Sequence, residues 1–134
     1  AVAERIPLTV HVAVGTDIIH QHPSADGAML GRGSFKDFQL FAGQLAGIDQ
    51  GGVVVNFGSA VLLPEVFLKG LTVARNLGNP ISNFVTANFD MIQHYRPRVN
   101  VLERPTQDGG KSYAFTGHHE LMLPLLYAAI QRLR

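Results

Sequence analysis

In Gly15-Thr16-Asp17-Ile18-Ile19-His20-Gln21-His22-Pro23, a carboxylate and two imidazoles follow directly on an apolar run, and the pair His118-His119 follows another such run later in the chain. Imidazole and carboxylate side chains suit proton transfer, coordination of zinc, iron or manganese, or hydrogen bonding to the hydroxyls of a bound nucleotide. Asp90 closes a third apolar run. Glu65 falls at the start of an expected helix, where the helix dipole favours a carboxylate with or without a chemical role. There is no cysteine, which removes thiolate nucleophiles, disulfides and sulfur-ligated zinc. Lys36 and Lys69 fall on helical patterns and Lys111 opens a strand pattern. None has the apolar or cationic surroundings that would lower an amine pKa for nucleophilic work.

The elements that must position these residues alternate. Pro7–Val14, "PLTVHVAV", is rich in β-branched residues and almost continuously apolar, as a parallel strand buried on both faces would be. Ser34 with Asp37 at its third position predicts a helix start close to a capping box, and Phe38, Phe41, Leu45 and Ile48 follow at helical spacing. Gly51–Gly58, "GGVVVNFG", predicts a second strand between glycines. A helix is expected from about Pro64, a residue tolerated in a first turn, with an apolar stripe of Val66, Phe67, Gly70, Leu71, Ala74 and Leu77. "GNP" at 78–80 stops it. "NFVTANF" predicts a third strand, "RVNVLE" at 98–103 a fourth, "KSYAFTG" a fifth, and "ELMLPLLYAAIQRL" the last helix, with Pro124 in its early part.

This order predicts an α/β fold in three layers, a parallel sheet with helices on both faces. Ligands of such sheets bind beyond the carboxyl ends of the strands. The exits read "VGTD" (14–17), "NFGSA" (56–60), "TANFD" (86–90) and "FTGHH" (115–119), and the four are expected to converge on one side. Gly58-Ser59-Ala60 and Gly117-His118 would allow close approach of a ligand to the backbone, and the helices that follow offer free amides to a phosphate. Neither turn fits G-x-G-x-x-G or the Walker phosphate loop.

The 134 residues suit a single domain, 1–134. Apolar residues make up 46% and charged residues 16%, the latter low against about a quarter in typical domains. A chain so short of charge is expected to have part of its surface covered by more polypeptide. A formal net charge of +1 gives no pull toward nucleic acid or an anionic membrane. The longest apolar runs are broken by Gly, Asn and Ser and are too short to span a bilayer. No signal-peptide pattern is present, and the lack of cysteine is consistent with a cytoplasmic setting.

Taken together, "IPLTVHVAVGTD", "VVVNFGSAVLLPE", "VTANFD" and "YAFTGHHELMLPLLYAAI" resemble, in that order, the C-terminal part of deoxyhypusine synthase and its bacterial relatives, more the relatives than the authentic synthase. The resemblance spans nearly the whole chain and rests on a pattern of strands and glycines. It implies a Rossmann-like fold that binds NAD, a homo-oligomer or association with a missing N-terminal part, and a transferase-like activity on a small-molecule substrate of unknown identity. It places Asp17 on a cofactor-contacting aspartate, Gly58-Ser59-Ala60 on a glycine-rich turn beside the cofactor, and Asn88 and Phe89 at another cofactor-contacting exit. His118 and His119 fall where the family has Asp-Ala near the adenosine. His22 falls where it has an aspartate that receives the polyamine. In place of the family's spermidine-contacting histidine this chain has Leu63-Pro64-Glu65, and "QHYRPRVNVLERP" lacks the lysine and tryptophan of the catalytic segment. The expectation is therefore a retained NAD or nucleotide site without authentic deoxyhypusine synthesis, with His22, Glu65 and Asp90 as the catalytic candidates. Two other readings stay open: a metal-dependent enzyme using His20, His22, His118 and His119, and a non-catalytic assembly domain.

Overall fold

Among the described residues three stretches pair as strands: β1 (Gly52–Phe57), β2 (Phe84–Asp90) and β3 (Lys111–Thr116). They form one parallel sheet in the order β1-β2-β3, with Val53 opposite Val85 and Asn88 opposite Ala114. The computed structural model describes residues 3–133. Helices alternate with the strands: α1 (Gly27–Leu45) precedes β1, α2 (Leu62–Asn76) joins β1 to β2, and α4 (His119–Arg132) follows β3. Between β2 and β3 lies an irregular helical crossover. It begins as the single turn α3 (Tyr95–Pro97), continues as a π-helical stretch (Arg98–Glu103) and ends in a 3-10 turn (Arg104–Thr106). The architecture is an α/β fold of the Rossmann-like kind, a parallel sheet with alternating helices.

Alternation along the strands divides the sheet into two faces. Phe84, Thr86 and Asn88 of β2 point toward α2 and the crossover. With them lies the core of Phe67, Leu71 and Ala74 from α2, Val101 and Leu102 from the crossover, Ile81, and Leu45 of α1. Leu71 is fully buried. Helix α1 lies on α2 rather than on the sheet, and Gly70 lets it approach: a Cβ there would sit 3.0 Å from Leu45 Cδ1 and 3.2 Å from Phe41 Cδ1. On the opposite face, α4 covers only the carboxyl end. Met122, Leu125, Leu126 and Ala129 border a cleft with Phe89 and Phe115, leaving Val53, Val55 and Tyr113 exposed.

Three expectations are corrected. Pro7–Val14 is not a paired strand: it runs as an unpaired segment beside α1. The first helix starts at Gly27, ahead of Ser34. Asp26 is its cap and accepts from the backbone N–H groups of Ala28 and Met29 at 2.8 and 3.1 Å. That cap satisfies two of the amides a helix start leaves free, and Ser34 falls inside the helix. "RVNVLE" is helical, and its four consecutive buried residues, Val99 to Leu102, break the period of two that a half-buried strand requires. The third strand, the fifth strand and the last helix form where expected, and Gly78 ends α2 with φ of +92°.

Candidate functional site

A chain of side-chain amides, of which Asn56 and Asn88 are buried and Gln93 half-buried, ties the three strand exits together. Asn56 at the end of β1 and Asn88 of β2 are paired in register, and Asn56 Nδ2 donates to Asn88 Oδ1 at 2.6 Å and to the carbonyl of Ser59 at 2.9 Å. Asn88 Nδ2 donates to Gln93 Oε1 at 2.8 Å. Gln93 Nε2 donates in turn to the Phe115 carbonyl and to Thr116 Oγ1, each at 3.1 Å. Buried amides demand such partners, and here they fix the loops after β1 and β2 and the end of β3 as one unit. The backbone extends the link: Gly58 N–H donates to the Phe89 carbonyl and Gly117 N–H to the Asp90 carbonyl.

Over this edge sits His119, the first residue of α4. Its ring lies 5.3 Å from that of Phe57 and directly above Gly58, where φ is +69° and a Cβ would come within 3.2 Å of Cε1. His119 Nε2 is buried without a hydrogen-bond partner and stands 3.7 Å from Asp90 Oδ1, too far for a hydrogen bond. Asp90 is itself buried and accepts from the Met91 N–H at 2.8 Å. Below, Phe57, Phe89 and Phe115 form a stacked row across all three strands, with ring centroids 5.3 and 4.5 Å apart. Ser59 Oγ accepts from Leu63 N–H at 3.2 Å, which occupies it at the start of α2.

Gly58, Ser59, Ala60, Asn88, Phe89, Asp90 and His119 thus belong to one carboxyl-edge cluster, while His118 is exposed beside it. The first exit lies elsewhere. Asp17 Oδ2 accepts from Ala13 N–H at 2.9 Å, His20 Nδ1 donates to the Asp17 carbonyl at 2.9 Å, and His22 pairs with Ser24. The Ser24 amide can only donate, so His22 Nδ1 is the acceptor and, in the neutral ring, the proton is on Nε2. His22 lines a separate open groove of about 730 Å³ with Ile18, Ile19 and Met29. The expected convergence of four loops is therefore a convergence of three.

Glu65 faces the crossover. It bonds Lys69 at 3.0 Å, lies 3.4 Å from Arg96 and accepts from Asn100 Nδ2 at 2.7 Å. The hydrogen bond from Lys69, with the nearby cations, holds its carboxyl below the usual range. This pinning joins α2 to the π-helical stretch, a form of helix often found near functional sites. Among the described residues no group of three or more His, Asp and Glu side chains is arranged to hold a metal ion, so His20, His22, His118 and His119 do not form one cluster. No described helix is long and apolar enough to cross a membrane.

Gln93 was not singled out by sequence reasoning, and Asn56 only as part of an exit. The available signal was an asparagine inside each of two apolar strand runs, "VVVNF" and "VTANF". A polar residue in a buried strand implies a polar partner, and each of these supplies the other's. Compared with known proteins, the chain matches no family model, no curated protein and no solved structure, so what is shown is its Rossmann-like α/β fold, with three strand exits gathered at one edge.

Proposed function

We propose that the carboxyl edge of the sheet is a nucleotide site, with NAD as its cofactor, in a deoxyhypusine synthase-like domain whose reaction is other than authentic deoxyhypusine synthesis. The observation that carries this reading is the convergence of the three exits around Gly58. There a backbone without Cβ lies against an imidazole whose buried nitrogen is orphaned, 3.7 Å from a buried carboxylate. Parallel α/β sheets take their ligands at this edge, and a buried polar atom lacking a partner is costly unless a ligand supplies one. Gly58, Ser59 and Ala60 would present the turn to the ligand, with the His119 ring filling the space a Gly58 Cβ would take. Asp90 and His119 would supply the polar groups, and the phenylalanine row an apolar ring. When bound, NAD supplies a hydride acceptor. This chain's own part is to orient it, with Asp90 and His119 placed to hold or move a proton.

The reading extends to association with more polypeptide, either a second copy or the remainder of a longer chain, because the open sheet face and α4 expose Tyr113, Leu121, Leu123 and Tyr127. Calorimetric titration of the purified chain with NAD, with and without EDTA, tests the site. Saturable, EDTA-insensitive binding that is lost in His119→Ala, with the fold intact by circular dichroism, is the expected result. An absence of saturable binding to the unaltered chain would sink the proposal.

A further inference from the structure

Among the described residues the sheet has two outer edges, those of β1 and β3, each paired only with β2; the β1 edge is the one that faces the segment before α1. Beside that edge lies the unpaired run Pro7–Val14. Thr9 and His11 face Val54, Val55, Asn56 and Phe57 across a cleft of about 230 Å³. The run leads through α1 into β1, and α1 packs on α2, the helix of the β1–β2 crossover. Crossovers between parallel strands are right-handed. Two successive crossovers with helices on the same side advance in the same direction, so a strand before α1 belongs on the side of β1 away from β2. That is where the segment lies.

Register follows from the ends. Gly15, with φ of +90°, closes the segment as Gly58, with φ of +69°, closes β1. Aligning them sets His11 opposite Val54, Val12 opposite Val55 and Ala13 opposite Asn56. Parity then puts Thr9 and His11 on the core face with Val54, and Leu8, Val10 and Val14 on the open face with Val53 and Val55. Thr9 and His11 are half-buried and Leu8, Val10 and Val14 are exposed, as this division requires, whereas Val12 is half-buried and lines, with Val10, the groove against α1, a contact that docking has to release. His11 is also seated edge-on against Phe41 of α1, centroids 5.5 Å apart, and Asp37 of α1 holds the Val10 N–H at 2.8 Å.

We propose that Pro7–Val14 is a strap that docks on β1 as a fourth parallel strand and, by docking, brings Asp17 to the three gathered exits and completes the ligand site. The second half of this statement rests on the nucleotide reading above; the first does not. The strap closes the cleft between Thr9, His11 and β1, covers the β1 edge and sets all four loops on one edge. Ligand and strap then favour each other, since a ligand that uses the fourth loop binds the docked state better.

The chain has no cysteine, so paired cysteines give a clean probe. Neighbouring parallel strands lie about 4.8 Å apart, within disulfide reach, whereas a shift of two residues along the strand places Cα atoms about 8 Å apart, beyond it. On mild oxidation, Val12→Cys/Val55→Cys should bridge and Val10→Cys/Val55→Cys should not, as read by peptide mapping. Both pairs sit on the open face, so their folding is checked against the unaltered chain by circular dichroism. Bridging in both pairs or in neither would overturn the strap. Slower hydrogen exchange at residues 8–14 on adding NAD is the second readout. Faster bridging with NAD supports the coupling. In a chain that binds NAD, an unchanged bridging rate overturns the coupling and leaves the strand. Selective bridging in a chain that does not bind NAD upholds the strap and sinks the nucleotide reading.

Discussion

At Gly58 a left-handed φ and a histidine ring 3.2 Å from where a Cβ would lie act on the same residue. Gly58→Ala is expected to cost about 1–2 kcal/mol from the backbone alone, measured by urea denaturation, and to displace His119. Asn88 is wholly buried and bonded at both ends of its amide. Asn88→Ala removes the acceptor of Asn56 and the donor to Gln93, and should cost about 1–3 kcal/mol, with the loops after β1 and β2 loosened together in hydrogen exchange. His11 gives a pH test. Burial lowers its pKa from the ordinary 6.5, against an opposing pull from Asp37. The unfolded chain therefore takes up a proton first, so the neutral ring's contribution is complete above 6.5 and is lost as pH falls through the lowered folded value. Thermal midpoints should decline over that interval, less steeply in His11→Phe. At this scale the sequence was partly legible. Asn88 was named as an exit residue by the resemblance and Asn56 only as part of an exit, although each is an asparagine inside an apolar strand run. Gln93 carried no such signal, because its partners Phe115 and Thr116 lie 22 and 23 residues away in the chain.

Among the elements, those with a full turn or a full ladder to themselves were readable from periodicity and stops. Helix α2 carries Phe67, Leu71 and Ala74 on one face and ends at Gly78. Leu71→Ala should cost about 2–5 kcal/mol, visible as a lower denaturation midpoint. "RVNVLE" misled because its valines raise strand propensity, while the contacts of the crossover, Val101 and Leu102 on the core and Asn100 on Glu65, decide for a helix. Propensity yields to such packing. The start of α1 was misplaced because Asp26 precedes glycines and alanine rather than the apolar periodic run that marks a helix. Asp26→Ala should lower stability by about 1 kcal/mol, with exchange accelerated over the first turn of α1. Pro7–Val14 has the composition of a strand but no backbone partner, and a strand is defined by its ladder as well as by its residues.

The whole molecule has an accessible surface of 9247 Å², against roughly 6,900 Å² for a compact monomer of this length. The excess is comparable to what one partner contributes to a large obligate interface, about 1,000–2,500 Å². Sedimentation velocity of the purified chain separates the two covers: species heavier than one chain are expected where a second copy supplies it, and a single monomeric boundary at all concentrations would assign the cover to the remainder of a longer chain. Low charge in the sequence pointed to such uncovered surface, but the faces that carry it could be named only once the strands had been ordered. That ordering has one more consequence. Sheet order equals chain order in β1-β2-β3, so each strand pairs with the one just made before it. A chain emerging from the ribosome can lay β2 on β1, then β3 on β2, each on the edge of the strand made just before it. Because domains are built from the N-terminal side during translation and local pairings form fastest, this sheet can grow at the pace of its own synthesis.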